Sequence, residues 1–320
     1  EEAIFAPTPP LESLRAVFSL TATEEYWSAE SWMAPIDSPQ RFQVSLIDIS
    51  RAYFNARTKE DSAVYVALPP EDPDHAKGLC GKLLVHMYGT RRAADGWHNE
   101  YSEAMERIGF IRGESSACVF WHPENKIISS VHGDDFTSAG SKESLDWCRR
   151  ALEKHYELKE AARLGPGPND DKEGRILNRI VRWGPGGLSY EADPRHAEKL
   201  IKELGLETEP GSAPVKGVVT PCVKPTPEQL GSDKPLPVHK VSHFRGLAAR
   251  ANYLAADRPD IQYAAKEVCR WMAEPTELAV AALKRIARYL VHKPRLVYHY
   301  PWQQACAGEV HSDTDWAGRA

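Results

Sequence analysis

No run of apolar residues in this 320-residue chain approaches the roughly 18 that a membrane span needs. The opening stretch, EEAIFAPTPP, has neither the basic n-region nor the apolar h-region of a signal peptide. It also lacks an initiator Met, so we expect a piece of something longer. Cysteine is sparse. Cys80, Cys118, Cys148, Cys222, Cys269 and Cys306 are widely spaced and none sits in a C-x-x-C pair. That pattern predicts free thiols in a reducing compartment and gives no indication of zinc. No internal repeat is visible.

A strongly positive charge is missing too. The net charge of -5 does not mark a nucleic-acid binder. The distribution is more telling. Residues 1–75 hold 5 Lys/Arg against 13 Asp/Glu, whereas residues 241–300 hold 10 against 5. The basic segment is suited to following a phosphate backbone. With 42% hydrophobic and 27% charged residues, the composition is that of a soluble globular protein with room for two or three domains.

Periodicity places the elements. TPPLESLRAVFSLTA has helical spacing at Leu11, Leu14, Val17 and Phe18. RFQVSLIDIS reads as a strand with Phe42, Val44, Leu46 and Asp48 on one parity, which leaves the Asp48 carboxylate at the rim of a sheet. SAVYVALPP is a shorter strand, stopped by Pro69 and Pro70. GWHNEYSEAMERIGF and SLDWCRRALEKHYEL are amphipathic helices. Between them, KIISSVHGDDFTSAG is strand, tight turn, strand, with Gly133 free to supply φ > 0. ILNRIVRW and GLSYEA form a hairpin around GPGG, and PRHAEKLIKELGL is a helix closed by Gly205. Residues 207–240 are rich in Pro, Gly, Thr and Lys and read as a linker. Helices follow over 241–256, 260–273 and 276–292, then a β-like RLVYHY.

Asp48 ends one strand, and Asp134 and Asp135 tip a hairpin 86 residues later. If those strands are neighbours, three carboxylates converge. Like charges at that distance repel, unless divalent cations lie between them. Hard oxygen ligands with open positions point to two Mg²⁺ ions, with Mn²⁺ as an alternative. The bland reading of Gly-Asp-Asp is a solvated turn.

The ordered motifs LIDISRAYFNA, VYVALPP, MYGTRRAADGW, VHGDDFTSAG, HYELK, ADPRHAEKLIKELGL, the long ADRPDIQYAAKEVCRW…RIARYL segment and HSDTDWAG together resemble the reverse transcriptase of copia-type retrotransposons. The resemblance runs over nearly the whole chain. It implies an α+β fold: a palm and partial fingers over 1–206, an antiparallel sheet with packed helices, then the linker. A helical connection or thumb-like segment over 241–300 would follow, and the truncated start of an RNase H domain over 301–320. The implied activity is RNA-directed DNA polymerisation on an RNA or DNA template–primer duplex with dNTPs. The implied setting is a polyprotein with integrase and RNase H, without a membrane, in cytoplasmic virus-like particles or else the nucleus.

Residue by residue, the resemblance makes Asp48, Asp134 and Asp135 the catalytic and metal-holding carboxylates, with the Ile49 backbone beside a metal or the triphosphate. Tyr53 falls at the aromatic that closes against a ribose 2′-hydroxyl; otherwise it is a half-buried strand aromatic. Gly89 permits close backbone approach, and Arg91 and Arg92 meet phosphate or are simply solvated. Lys159 matches a lysine that protonates pyrophosphate. Lys284, Arg285, Arg288 and Lys293 lie off the buried stripe of their helix and form a basic face for the duplex, or a solvated one. Asp313 aligns with the first RNase H carboxylate. Departures are His132 in place of an aromatic, Arg92 and Ala94 for Gln and Pro, Ser116–Ala117 for Asp-Pro, and Asn178 for Gly. The family's basic fingers strand should precede FAPTPP, where this chain begins. A decayed or repurposed remnant that binds nucleic acid without polymerising is the alternative. A metal-dependent phosphotransferase using Asp48 and Asp134 is a third.

Overall fold

The computed structural model describes residues 7–23, 42–207 and 215–303. Asp313 and Cys306 lie outside them. The architecture is mixed α+β, in two compact units. One comprises residues 1–170, with 185–188 and 300–320; the other comprises 171–184 and 189–299. The sequence had grouped all of 1–206 together. Instead the segments 171–184 and 189–206 cluster with the helices that follow.

The first unit carries helix α1 (Leu11–Thr21) and strand β1 (Gln43–Ile49), then a two-stranded ribbon of β2 (Tyr65–Ala67) and β3 (Cys80–Lys82). Helix α2 (Ala93–Arg107), strands β4 (Ile111–Arg112), β5 (Val119–His122), β6 (Ile127–His132) and β7 (Asp135–Gly140), helix α3 (Lys142–Glu153) and strand β8 (Leu158–Leu164) follow. Six of these strands form one antiparallel sheet in the order β4-β5-β6-β7-β1-β8. The β2 stretch, expected as a second, shorter strand, pairs only within its own ribbon.

Strand β1 runs between β7 and β8, and residues of both parities are buried, not the single parity that its sequence displays. Ile47 and Ile49 pack with Trp97, Phe136 and Leu145 under α2 and α3. On the opposite face, Phe42 packs with Val17 of α1 and with Ala139. Asp48 shares the parity of Phe42 and lies at the far end of the strand, beyond that cluster. Burial therefore fixes the register, because a one-residue slip would turn Asp48 into the α2–α3 core.

The second unit holds β9 (Glu173–Ile176), β10 (Arg179–Gly184), most of β11 (Gly187–Glu191), α4 (Pro194–Glu203), α5 (Pro227–Gly231), α6 (Val238–Ala255), α7 (Pro259–Cys269), α8 (Glu277–His292) and the first residues of β12 (Val297–Pro301). Strand order in its sheet is β12-β11-β10-β9. The ILNRIVRW stretch is not one strand. It folds back at Leu177 and Asn178, both left-handed at φ 46° and 64°, as a two-residue hairpin of type I′ requires. Asn tolerates that conformation better than most residues, which explains how it stands in for Gly. A single apolar cluster joins Leu200, Leu247, Leu254, Ile261, Leu283 and Leu290 across α4, α6, α7 and α8.

The linker is more ordered than its composition implies. Helix α5 starts on a capping box between Thr226 and Gln229, and α6 begins at Val238. Arg285 donates to the Thr220 carbonyl at 3.0 Å and to its hydroxyl at 2.8 Å, and Arg288 donates to the Lys216 carbonyl at 3.0 Å. A segment without helix or ladder must place its carbonyls somewhere, and two guanidinium groups take them. No helix among the described residues is long and apolar enough to cross a membrane.

Candidate active site

The β6–β7 hairpin turns through Gly133 and Asp134. Gly133 has φ +65° with open space around it, so glycine is required there for conformation and not for room. The turn is anchored from beneath. Buried Trp97 donates its indole N–H to the Gly133 carbonyl at 2.8 Å.

Asp48 and Asp135 are Cα partners across the β1–β7 ladder. The next pair, Ile49 and Asp134, is joined by a hydrogen bond from the Ile49 N–H to the Asp134 carbonyl at 3.0 Å. In an antiparallel ladder bonded and non-bonded pairs alternate, so Asp48 and Asp135 form the closer, non-bonded kind, with Cα atoms about 4.5 Å apart and side chains on one face. Like charges directly opposite each other destabilise a sheet. Burial, then the charges of Asp134 and Asp48, push the Asp135 carboxyl up to about 6.

Three further elements close around this pair. On β8, exposed Lys159 is the register partner of Asp48. After β1 the chain turns through Arg51, left-handed at φ 53°, into a 3₁₀ turn, Ala52–Asn55. The Asn55 amide donates to the Ala52 carbonyl at 3.2 Å, and the Ser50 N–H donates to the Glu157 carbonyl at 2.9 Å. Half-buried Tyr53 rides on this turn, its ring 4.4 Å from that of Tyr88. Gly89 follows with φ +86°, Arg91 is exposed, and Arg92 caps the start of α2.

This loop is pinned at its root. The His86 N–H donates to the Ala56 carbonyl at 2.9 Å, and the buried His86 ring lies against Gly96 of α2. A Cβ at position 96 would fall 2.1 Å from His86 Nε2. Gly96→Ala should therefore expel the ring and destabilise the protein by on the order of 1–3 kcal/mol in thermal unfolding. Wild-type stability in that variant would show that the ring is not packed there.

The structure thus brings Asp48, Ile49, Asp134, Asp135 and Lys159 to one end of β1, with Tyr53 and the Gly89 loop beside them. Ile49 has less to offer than expected, because its N–H is engaged in the ladder and only its carbonyl remains for a ligand. Among the described residues no three His, Cys, Asp or Glu side chains are gathered closely enough to hold a metal ion. The donors nonetheless suit a hard cation: carboxylate oxygens from two strands, mutually repelling. Lys284 on α8 and Lys293 just past its end are exposed, while Arg285 and Arg288 of α8 are engaged with the 215–222 segment. Tyr88, Asn55 and the indole N–H of Trp97 escaped the sequence reading. Only Tyr88 carried a signal, as an aromatic beside the glycine of MYG.

Residues 3–165, just over half of the chain, match the profile of the family described as "Reverse transcriptase (RNA-dependent DNA polymerase)". The chain is 27% identical over 276 residues to the "Retrovirus-related Pol polyprotein from transposon RE1" of Arabidopsis thaliana, which covers 85% of the chain and 18% of that polyprotein. Against the corresponding polyprotein from transposon TNT 1-94 of Nicotiana tabacum it is 23% identical over 299 residues, 90% of the chain and 20% of the relative. The chain belongs to the reverse transcriptase family, in its copia-type retrotransposon branch. It spans about a fifth of the length of these relatives. The match to the reverse transcriptase profile covers every strand of the six-stranded sheet and ends at residue 165, just after β8. All three carboxylates and Tyr53 therefore lie within it.

Proposed function

We propose that this chain is the palm, partial fingers and connection of an RNA-directed DNA polymerase from a retrotransposon polyprotein, extending a primer 3′-hydroxyl with dNTPs on a nucleic-acid template. The observation that carries the reading is the facing of Asp48 and Asp135 in the closer kind of antiparallel pair, with Asp134 at the adjoining turn. A fold keeps so unfavourable an arrangement where a cation offsets it.

Asp48, Asp134 and Asp135 would hold two Mg²⁺ ions, with the Ile49 carbonyl beside them; bound there, such ions lower the barrier by acidifying the attacking hydroxyl and neutralising the leaving pyrophosphate. The remaining steps belong to the chain. Lys159, the register partner of Asp48, would hand a proton to pyrophosphate. Tyr53 sets a flat wall under the incoming sugar, where a 2′-hydroxyl finds no room. Gly89 lets the backbone approach, and Arg91 and Arg92 attract phosphate. In the second unit, Lys284 and Lys293, with the spare N–H donors of Arg285 and Arg288, form a face for duplex phosphates. In the intact element, integrase and RNase H would be neighbouring parts of the polyprotein, with residues 301–320 opening the latter. Its place would be a cytoplasmic particle.

Primer extension on poly(rA)–oligo(dT) tests this directly. Wild-type chain should incorporate dTTP only with Mg²⁺ or Mn²⁺, and Asp134→Asn should lower the rate by at least about 100-fold. Duplex binding without incorporation would mark a non-polymerising nucleic-acid binder instead.

A further inference from the structure

Tyr53 stands on a four-residue 3₁₀ turn, a short and weakly held element. Its side chain packs on the core cluster that includes Trp97 and Phe136. Its ring also meets that of Tyr88, with ring centroids 4.4 Å apart and planes at 46°. Tyr88 also receives Phe54 edge-on, at 5.7 Å and 85°. Tyr88 is 47% exposed and Phe54 43% exposed, so this aromatic cluster lies on the surface beside the carboxylates. Burial and then the charge of Asp134 push the Tyr88 phenol up. Tyr88 itself has little freedom, because His86 is pinned against Gly96 on one side and Gly89 reverses the chain on the other.

We propose that Tyr88 is a positioning residue for sugar selection: its ring backs the ring of Tyr53 and fixes the wall that refuses a ribose 2′-hydroxyl. This rests on the polymerase reading above. A steric wall discriminates only as well as it is held, and a ring free to tilt by an ångström admits one more oxygen. Without Tyr88, Tyr53 keeps the core contact and gains a direction in which to yield. The ring and not the hydroxyl is what matters, so Phe should replace Tyr88 and an aliphatic side chain should not.

The test is single-nucleotide incorporation of dTTP and of 5-methyluridine triphosphate, which differ only by the 2′-hydroxyl, on poly(rA)–oligo(dT) with the full chain. The ratio of the two kcat/KM values should fall by about tenfold or more in Tyr88→Leu, chiefly through a lower KM for the ribonucleotide, and should stay near wild type in Tyr88→Phe. Tyr88→Val, with a thermal melt on every variant, guards against a fold effect peculiar to Leu. An unchanged ratio in folded Tyr88→Leu and Tyr88→Val, while wild type discriminates, overturns the proposal and leaves the polymerase reading standing. Absence of any incorporation by wild type overturns the polymerase reading, and this proposal with it.

Discussion

Asp257→Ala should destabilise the second unit by on the order of 3–5 kcal/mol, a large share of the roughly 5–15 kcal/mol that holds a domain together. Asp257 follows α6 and is 3% exposed; Arg179 at the start of β10 is 4% exposed. The Arg179 guanidinium meets the Asp257 carboxylate at 3.0 Å and 2.9 Å, and the buried Tyr190 hydroxyl donates to the other carboxylate oxygen at 2.6 Å. A third donor of Arg179 reaches the Leu177 carbonyl at 2.8 Å. One buried group thereby ties the left-handed turn, two strands and the end of α6 into one network. Truncating Asp257 leaves a buried guanidinium without its counter-charge and a tyrosine hydroxyl without its acceptor, and both lose hydration for nothing in return. Arg179→Met should cost a similar amount. The double variant, Arg179→Met with Asp257→Leu, should lose much less than the sum, because it leaves no orphaned charge. Urea midpoints at constant m-value decide the matter. Additive losses would mean that the two side chains act independently.

That network also shows where the sequence stops being legible. Arg179 and Asp257 are 78 residues apart and belong to no period, so nothing local announces their pairing. The Leu177–Asn178 turn was hidden for a different reason. Leucine seldom adopts a left-handed conformation, so the stretch passed as a single strand. Arg285 and Arg288 were legible as a cationic face of α8, but their carbonyl partners come from a segment without periodicity of its own. By contrast, the β6–β7 hairpin was readable because β-formers flank a Gly-Asp pair, and helices α2, α3, α4 and α8 because their apolar stripes are continuous. The carboxylate constellation was half legible. Residue types and strand ends could be read, while the closer register of Asp48 with Asp135 emerged only from the ladder.

That register makes the second large prediction a conflict between stability and function. In metal-free buffer with chelator, Asp135→Asn should be more stable than wild type at pH 7 by on the order of 2 kcal/mol, after discounting for solvent at this partly exposed site. The sign follows from the carboxyl, which is pushed up from 3.8 to about 6. The folded state binds the proton more tightly than the unfolded chain. Wild type therefore loses stability as pH rises from about 4 to about 6, and the loss is complete above that range. The amide carries no charge and escapes it, so the gap between the two proteins should open across this window and close below pH 4. Adding Mg²⁺ should raise the melting temperature of wild type, since a cation bound only by the folded state stabilises it. Asp135→Asn should gain much less, and should incorporate dTTP at least about 100-fold more slowly. Thermal melts between pH 4 and 7.5, with chelator and with Mg²⁺, read the first three outcomes, and primer extension reads the fourth. If the variant proves no more stable than wild type at pH 7 without metal, the repulsion is absent, and with it the physical reason for a cation between these strands.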